Sequence, residues 1–178
     1  VSSGAIGMGV GKLNLPGKPS DMPSKQAAAA VGQCELMYTY DRLFLQYNHT
    51  VAQILLTGED VDHAERRQNF ENTLERLLEL GALPITTAEI KVGDNDTLGA
   101  IVACSIHADL LVLLSDIEGL YTADPRKDPE ARLIPVVEKV TPEIEGLAGG
   151  AGSGLGTGGM ATKLRAAKMV TAAGCDMI

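Results

Sequence analysis

The chain has 178 residues, of which 45% are hydrophobic and 21% are charged, a composition typical of one folded globular domain and not of a disordered chain. Its net charge of −8 argues against nucleic acid as the main partner, because proteins that bind nucleic acid usually present a basic face. No apolar run approaches the ~20 residues that a membrane-spanning helix needs, so the sequence also argues against a membrane protein.

The first third of the chain combines a polar entry, a helix and a strand. Small hydroxyl and glycine residues at 2–4 follow the apolar Val1, a pattern typical either of donors for a ligand carboxylate or of a capped helix entry. Alanine-rich sequence with spaced apolar residues predicts a long helix over 24–46. The short apolar run at 50–56 predicts a buried strand.

The middle of the chain continues this alternation. A helix is predicted over 65–80, with Gly81 as its C-terminal stop, and another over 96–107. The apolar run at 109–114 predicts the clearest buried strand. One face of the helix over 65–80 is expected to carry Phe70, Leu74, Leu77 and Leu78. Alternating strands and helices favour an α/β fold with a mostly parallel sheet covered by helices on both faces.

Two polar clusters lie where predicted strands end or predicted helices begin. Asp94, Asn95 and Asp96 combine two carboxylates with an amide, a set that suits an ammonium group, lysine side chains or a hydrated Mg²⁺. The same residues also suit a solvated turn, in which Asp94 or Asn95 caps the following helix. Ser115 and Asp116 come directly after the last predicted strand. Because ligands bind at the carboxyl ends of parallel strands, we expect this second pair to contact a ligand.

The strongest functional signal is rich in glycine. Seven glycines occur within residues 149–163, directly before a helix-forming run. Glycine backbone can approach a ligand closely and take up positive φ, so its N–H groups can converge on an anion. Lys163 adds a positive charge where the dipole of the following helix already favours an anion, which predicts a phosphate site. The alternative is a flexible linker, but a linker gives no reason for Thr162 and Lys163 at a helix start.

Two common phosphate motifs fit this run poorly. A P-loop needs Gly-Lys followed by Ser or Thr, whereas Lys163 here follows Thr162. Gly154, Gly156 and Gly159 have the spacing of a dinucleotide fingerprint, but no strand is predicted directly before them. The sequence therefore argues against both a P-loop and a dinucleotide fold.

Cysteines and histidines carry little functional signal. The three cysteines are odd in number and widely spaced, which suggests neither a disulfide framework nor a zinc site, so the cytoplasm is the expected compartment. Cys104 is expected to pack in the core. Surface or helix-end positions are expected for the isolated histidines, which are His49, His63 and His107.

Taken in order, five segments closely resemble the glutamate 5-kinase family. They are Val-Ser-Ser-Gly-Ala-Ile at 1–6, Lys-Gln-Ala-Ala-Ala-Ala-Val-Gly-Gln at 25–33, Gly-Asp-Asn-Asp-Thr-Leu at 93–98, Leu-Ser-Asp-Ile-Glu-Gly-Leu-Tyr-Thr-Ala-Asp-Pro-Arg at 114–126 and Gly-Ser-Gly-Leu-Gly-Thr-Gly-Gly-Met-Ala-Thr-Lys at 152–163. The resemblance implies the amino-acid kinase fold, a three-layer α/β/α sandwich. It also implies phosphorylation of the L-glutamate γ-carboxylate with ATP and Mg²⁺, the first step of proline biosynthesis.

The resemblance implies roles for individual residues. Ser3 and Asn95 would bind glutamate, with Gly4 offering a backbone contact. Asp96 would orient the catalytic lysines, and Lys163 would be one of those lysines. The residues implied to bind ATP are Ser115, Asp116, Thr157, Gly158, Gly159, Met160, Ala161, Thr162 and Lys163, with Tyr121 placed near the adenine by its position.

The resemblance also implies segments outside this sequence. A lysine-bearing first strand and a glycine loop would precede Val1. An Asn-Glu-Asn-Asp type segment that completes the glutamate site would follow Ile85, where this chain continues with Thr86. Residues 1–178 are therefore expected to form one amino-acid kinase domain that is incomplete at both ends and near residue 85. A dimer or tetramer is implied as well.

Two rival functions stay open at this point. Other members of the same superfamily phosphorylate N-acetylglutamate, aspartate, carbamate or UMP, and composition does not separate them from a glutamate kinase. The runs at 93–96 and 122–126 favour glutamate. A noncatalytic nucleotide-binding subunit, which keeps the fold and loses the lysines, is the rival from a different class.

Overall fold

A computed structural model of the chain describes residues 1–88, 94–148 and 159–178. These residues belong to two compact units, Val1–Val92 and Gly93–Ile178. Within the described ranges, each unit contains helices and a pair of parallel strands. The α/β class predicted from the sequence is confirmed in both units.

The first unit is a parallel strand pair with helices before and between its strands. Strands β1 and β2 pair in parallel, with Thr50 opposite Ala82 and Leu56 opposite Ala88. A right-handed helical crossover is the usual connection between such strands, because parallel neighbours cannot be joined by a tight turn. In chain order the elements are α1 (Ala5–Lys12), α2 (Met22–Leu45), β1 (Thr50–Leu56), α3 (Gly58–Asp62), α4 (Ala64–Glu79) and β2 (Ala82–Ala88).

Local signals account for most of these boundaries. The Asp21 carboxylate accepts a hydrogen bond from the Ser24 N–H at 2.9 Å, which caps α2. Helix α4 is followed by Gly81, whose φ of +72° lies in the left-handed region that glycine favours. The predicted helices over 24–46 and 65–80 and the predicted strand over 50–56 are therefore confirmed, with ends that shift by no more than about two residues.

The core of the first unit lies between α4 and the strands. Leu74 of α4 and Leu56 of β1 are each 1% exposed, and Phe70 is also buried. The predicted apolar face of α4 is wrong at Leu78, which is 48% exposed. Consecutive helical residues such as Leu77 and Leu78 lie about 100° apart around the helix axis, and the packed stripe of α4 is too narrow to cover both.

Helices α1 and α2 pack so closely that two glycines are required. A Cβ atom added at Gly9 would lie 1.8 Å from the Ala28 carbonyl oxygen, and one added at Gly32 would lie 1.7 Å from the Ala5 carbonyl oxygen. Both distances are far below van der Waals contact. The two helix backbones therefore touch directly at these positions.

Strand β2 runs without interruption through the place where the resemblance implies an extra segment. Ile85 and Thr86 are consecutive residues of the strand and pair with Gln53 and Ile54 of β1. Ile85, Thr86 and the following threonine are all buried. The expectation that the domain is incomplete near residue 85 stays a prediction.

The second unit pairs two short strands beside two helices. Strands β3 and β4 are parallel, with Leu110 opposite Asp176 and Leu111 opposite Met177. Helices α5 and α7 share a core of small and apolar side chains, which are Ala100, Ala103, Ala166, Val170 and Cys175. The elements are α5 (Asn95–Ser105), β3 (Leu110–Leu111), α6 (Pro142–Leu147), α7 (Met160–Ala172) and β4 (Asp176–Met177).

The predicted buried strand over 109–114 is wrong in length and burial. Strand β3 covers only Leu110 and Leu111, and Leu114 is 96% exposed. Burial of a strand depends on what covers its two faces and its free edge, and in the described ranges β3 pairs with β4 alone.

Among the described residues, no helix is long and apolar enough to cross a membrane.

Candidate functional site

The structure brings Lys163 and Asp96 together in the second unit, although they lie 67 residues apart. The Lys163 ammonium donates to both carboxylate oxygens of Asp96, at 3.1 Å to Oδ1 and 3.2 Å to Oδ2. The two side chains are 20% and 13% exposed, respectively. An ion pair shielded this far from water interacts more strongly than a surface pair, which water and salt screen.

The start of α5 places the Asp96 carboxylate. Asp94 is the N-cap: its Oδ1 accepts from the Thr97 N–H at 2.8 Å, and its Oδ2 accepts from the Thr97 hydroxyl at 3.0 Å. The prediction that Asp94 or Asn95 caps this helix is thus confirmed for Asp94. Asp96 follows in the first turn, where the helix dipole favours a negative charge. Asn95, the predicted glutamate-binding residue, is the exposed first residue of α5.

The start of α7 places Lys163 and Thr162. Gly159 is the N-cap, and Met160 and Ala161 are the first two helical residues. The first N–H groups of a helix have no acceptor within the helix, and the dipole adds a partial positive charge there. The Lys163 ammonium at the end of this turn makes the same place more positive. This combination suits a phosphate group.

Thr162 is the residue whose environment differs most from its predicted one. The resemblance assigns it to ATP, whereas the structure places its hydroxyl oxygen 2.7 Å from Asp96 Oδ2. The same oxygen lies 2.7 Å from the Gly159 carbonyl oxygen. Asp96 is therefore contacted by two neighbouring residues of α7, Thr162 and Lys163. No spacing rule in the sequence could have found this contact, because the partners lie far apart in the chain.

Ser115 and Asp116 follow β3, as predicted, but their contacts are local. The Ser115 hydroxyl accepts from the Ile117 N–H at 3.4 Å. The Asp116 side chain is 77% exposed and lies 3.6 Å from a terminal nitrogen of Arg126. In the part of the chain that the structure describes, no hydrogen bond or ion pair joins either residue to Lys163.

Tyr121, which the family resemblance suggests near the adenine, has an acidic partner in the structure. Its hydroxyl donates to Glu118 Oε2 at 2.9 Å. This hydrogen bond raises the pKa of Tyr121 above its ordinary value, since the neighbouring carboxylate disfavours the phenolate. The phenol therefore stays protonated and can act as a donor near neutral pH.

In the first unit, Ser3 and Gly4 form the entry to α1. Gly4 is the N-cap, and its φ of +108° is a conformation that other residues rarely adopt. The preceding Ser2 is anchored, because its N–H donates to the Thr86 carbonyl oxygen at 2.9 Å and its hydroxyl lies 2.7 Å from that of Tyr40. A helix thus begins at the predicted place, although no side chain that the structure describes caps α1 with a hydrogen bond. The ligand role of Ser3 and Gly4 stays a prediction.

One polar contact in the first unit has no counterpart in the sequence analysis. The Gln33 amide donates to the Thr87 hydroxyl at 3.1 Å, which joins α2 to the carboxyl end of β2. Thr86 and Thr87 are 2% and 3% exposed. Gln33 and Thr87 lie 54 residues apart in the chain, so no local pattern indicates this contact, and pairing of the two elements was needed to find it.

Part of the predicted nucleotide site lies outside the described residues. Thr157 and Gly158, together with the rest of the glycine run at 149–158, fall there, as does Gly93. The predicted core position of Cys104 is reached in part: it packs against the cluster between α5 and α7, and burial raises the pKa of its thiol.

The described residues fit a nucleotide phosphate better than an all-protein metal cage. Within 1–88, 94–148 and 159–178, no group of three or more His, Cys, Asp or Glu side chains is placed to hold a metal ion. Mg²⁺ in kinases usually enters with the substrate phosphates and one or two carboxylates, so it needs no such group. The start of α7 and Lys163 supply the positive charge that a phosphate requires.

Comparison with known proteins adds an independent finding. The model of the amino acid kinase family matches residues 1–178. A glutamate 5-kinase of Clostridium tetani is 55% identical over 185 aligned residues, which cover 100% of this chain and 69% of that protein. A glutamate 5-kinase of Carboxydothermus hydrogenoformans is 52% identical over 185 residues, with 100% of this chain and 50% of that protein covered.

The alignments with these relatives are longer than the chain itself. Each spans 185 positions against the 178 residues of this chain, so each relative carries residues that have no counterpart here. A glutamate 5-kinase of Myxococcus xanthus, 52% identical, is likewise aligned over 185 residues, and 49% of it is covered. The chain thus spans from about half to about two thirds of the length of these relatives.

Proposed function

Because the chain belongs to the amino acid kinase family, we propose that the protein transfers the γ-phosphoryl group of ATP to the γ-carboxylate of L-glutamate. The products are L-glutamyl 5-phosphate and ADP, and the reaction is the first step of proline biosynthesis. The observation that carries the proposal is the Lys163–Asp96 pair, with 3.1 Å between Nζ and Oδ1, at the start of α7. The names of the relatives, glutamate 5-kinases at 52–55% identity, support the choice of acceptor.

The reaction needs charge stabilisation more than proton transfer. A γ-carboxylate is already ionised near neutral pH, so no general base has to activate it. One of its oxygens attacks the γ-phosphorus, the bond from that phosphorus to the bridging oxygen breaks, and ADP leaves with the bond electrons. Negative charge builds up on the phosphoryl and bridging oxygens, where the Lys163 ammonium and the first N–H groups of α7 stabilise it.

Asp96 has a supporting role in this proposal. Its carboxylate holds the ammonium through both oxygens, which restricts where Lys163 Nζ can lie. An ammonium on a long flexible side chain otherwise spends much of its time away from the phosphate. Catalysis by positioning depends on removing that freedom before the reaction.

The substrate-binding roles in this proposal follow the sequence analysis. Ser3, Gly4 and Asn95 bind glutamate, and Asn95 is exposed at the start of α5, where a ligand can reach it. When Mg²⁺ is bound with ATP, it supplies further positive charge to the phosphate oxygens. The residues proposed to bind ATP are Ser115, Asp116, Thr157, Gly158, Gly159, Met160, Ala161 and Lys163.

Three further statements belong to the same proposal. Residues 1–178 act as one amino-acid kinase domain, the protein works in the cytoplasm, and it forms a homo-oligomer. The net charge of −8 supports the expectation that this domain does not bind nucleic acid.

The test is to measure ADP release by the full-length protein with one acceptor at a time. L-glutamate, N-acetyl-L-glutamate and L-aspartate are each supplied with ATP and Mg²⁺. We expect rapid release with L-glutamate and little with the other two. Faster release with another acceptor would replace glutamate by that acceptor. Nucleotide binding without release for any acceptor would favour the noncatalytic subunit.

A further inference from the structure

Thr162 uses its hydroxyl inside the protein, in contact with a charged side chain. Its oxygen lies 2.7 Å from Asp96 Oδ2, and the contact is partly buried. Thr162 is the third residue of α7 and directly precedes Lys163. The two residues that contact the Asp96 carboxylate are therefore neighbours in sequence, and both lie at the start of the same helix.

The Thr162 hydroxyl donates its hydrogen bond mainly to the Asp96 carboxylate. A threonine hydroxyl has one hydrogen, and its oxygen has two acceptors within reach, Asp96 Oδ2 and the Gly159 carbonyl oxygen, both at 2.7 Å. The carboxylate is charged and is therefore the stronger acceptor. The Gly159 carbonyl oxygen also receives the N–H groups of Thr162 and Lys163, at 3.1 and 3.4 Å.

The bond to Thr162 restricts rotation of the Asp96 carboxylate. The Lys163 ammonium contacts Oδ1 and Oδ2 almost equally, at 3.1 and 3.2 Å, so the ion pair alone does not distinguish the two oxygens. The terminal torsion angle of an aspartate side chain has a broad distribution, so the carboxylate can rotate easily. The hydroxyl selects Oδ2, which leaves Oδ1 directed to the ammonium without competition.

We propose that Thr162 is a positioning residue that acts through Asp96 to hold the Lys163 ammonium in place for phosphoryl transfer. The proposal rests on the function proposed above and differs from the role that family resemblance gives to Thr162. A residue that contacts ATP directly contributes to nucleotide affinity. A residue that acts through Asp96 contributes to turnover, because its effect is on the geometry of the charge-stabilising group.

The main experiment compares three variants of the full-length enzyme. Thr162→Val removes the hydroxyl and keeps the branched shape, whereas Thr162→Ser keeps the hydroxyl. Thr171→Val is the matched control, since Thr171 is a threonine of the same helix whose hydroxyl donates to the Ala167 carbonyl oxygen at 2.7 Å and not to Asp96. The turnover number and the KM for ATP are measured for each.

We expect Thr162→Val to lower kcat about tenfold or more, the size of effect expected for a hydrogen bond to a charged group, with the KM for ATP changed less than about threefold. Thr162→Ser should recover most of the lost turnover, and Thr171→Val should resemble the unmodified enzyme. An unchanged kcat, with or without a raised KM for ATP, would overturn the proposal.

A double-mutant cycle with Asp96→Ala decides the case in which kcat and KM change together. If Thr162 acts through Asp96, adding Thr162→Val to Asp96→Ala changes kcat and the free energy of unfolding little further. Additive effects on both quantities would overturn the proposal. The unfolding measurement does not depend on catalysis, so an enzyme inactive on glutamate would refute the proposed function and still leave the coupling of Thr162 and Asp96 measurable.

Discussion

The charges of Lys163 and Asp96 are placed very differently with respect to their own helices. Asp96 lies in the first turn of α5, where the dipole favours an anion. Lys163 lies at the end of the first turn of α7, where the dipole disfavours a cation. The Asp96 carboxylate offsets that cost through contacts of 3.1 and 3.2 Å. The protein thus keeps an ammonium at a position that suits the proposed catalysis and is unfavourable for the helix.

Replacement of this ammonium is the most direct residue-scale prediction. We expect Lys163→Ala to lower turnover by about two powers of ten or more, because one stabiliser of the developing charge is lost. Lys168→Ala is the control: Lys168 lies in the same helix, is 62% exposed and pairs with Glu145 at 2.8 Å. Steady-state ADP release measures both variants, and circular dichroism checks their folding. Near-normal turnover in Lys163→Ala would remove this residue from the mechanism.

At the scale of elements, the α1–α2 contact is the tightest packing among the described helices. Backbone approaches backbone at Gly9 and Gly32, and neither position has room for a methyl group. Gly11 also lies in α1, but a Cβ added there would meet nothing within 4 Å. Replacement of glycine by alanine is therefore expected to force the two helices apart at Gly9 or Gly32 and to be tolerated at Gly11.

We predict that Gly32→Ala lowers the free energy of unfolding by about 1–3 kcal/mol or more, since the added methyl forces the helices apart. Gly11→Ala should leave that free energy unchanged or raise it by up to about 1 kcal/mol, because alanine restricts the unfolded chain more than glycine. Urea unfolding followed by circular dichroism measures both variants. Equal stability of the two would contradict the close backbone contact.

The capping box of α3 makes stability depend on pH. The Asp60 carboxylate accepts from the Thr57 hydroxyl and from the Thr57 N–H, and these hydrogen bonds hold the pKa of Asp60 below its ordinary value of 3.8. A carboxyl with a lowered pKa in the folded state stabilises the protein above its unfolded pKa. That contribution is lost as the pH falls below about 4 through the lower folded value.

Asp60→Asn tests this element-scale prediction. The variant should be less stable than the unmodified protein at pH 7, and the difference should shrink as the pH falls from about 5 to 3, because Asp60 itself becomes protonated. Urea unfolding at each pH gives the two free energies. A difference that stays constant over this range would show that the charge of Asp60 has no role in the cap.

For the whole molecule, the nucleotide-binding assignments all fall in one unit. Ser115, Asp116 and the residues around Lys163 belong to Gly93–Ile178, which has its own core between α5 and α7. A ligand that binds the native state lowers the population of locally opened forms of the structure that it contacts. The unit that holds the nucleotide should therefore gain the most protection.

Hydrogen exchange with and without a non-hydrolysable ATP analogue tests that expectation. We predict that amide protection increases in α5 and in the first turns of α7, and increases less in β1 and α4 of Val1–Val92. Protection that rises mainly in β1 and α4 would place the nucleotide in the other unit.

Most elements with strong local signals could be read from the sequence. The strand over 50–56 is found with its predicted bounds, and α2 and α4 begin and end within about two residues of prediction, since caps, glycine stops and helical spacing are local properties. Burial of the strand near Leu110 could not be read in the same way. An apolar run says that a strand can be buried, and its neighbours decide whether it is.

The order of residues along the chain predicts which chemistry this protein performs. A lysine at a helix start after a glycine run favours phosphate binding through local backbone geometry and charge. Carboxylates at another helix start favour an ammonium group as their partner. Which of these groups act together depends on the folded molecule. The Lys163–Asp96 pair and the Thr162 hydroxyl contact join residues 67 and 66 positions apart, and the α1–α2 contact depends on two facing glycines. Contacts of this kind arise from packing between elements, which no local pattern encodes.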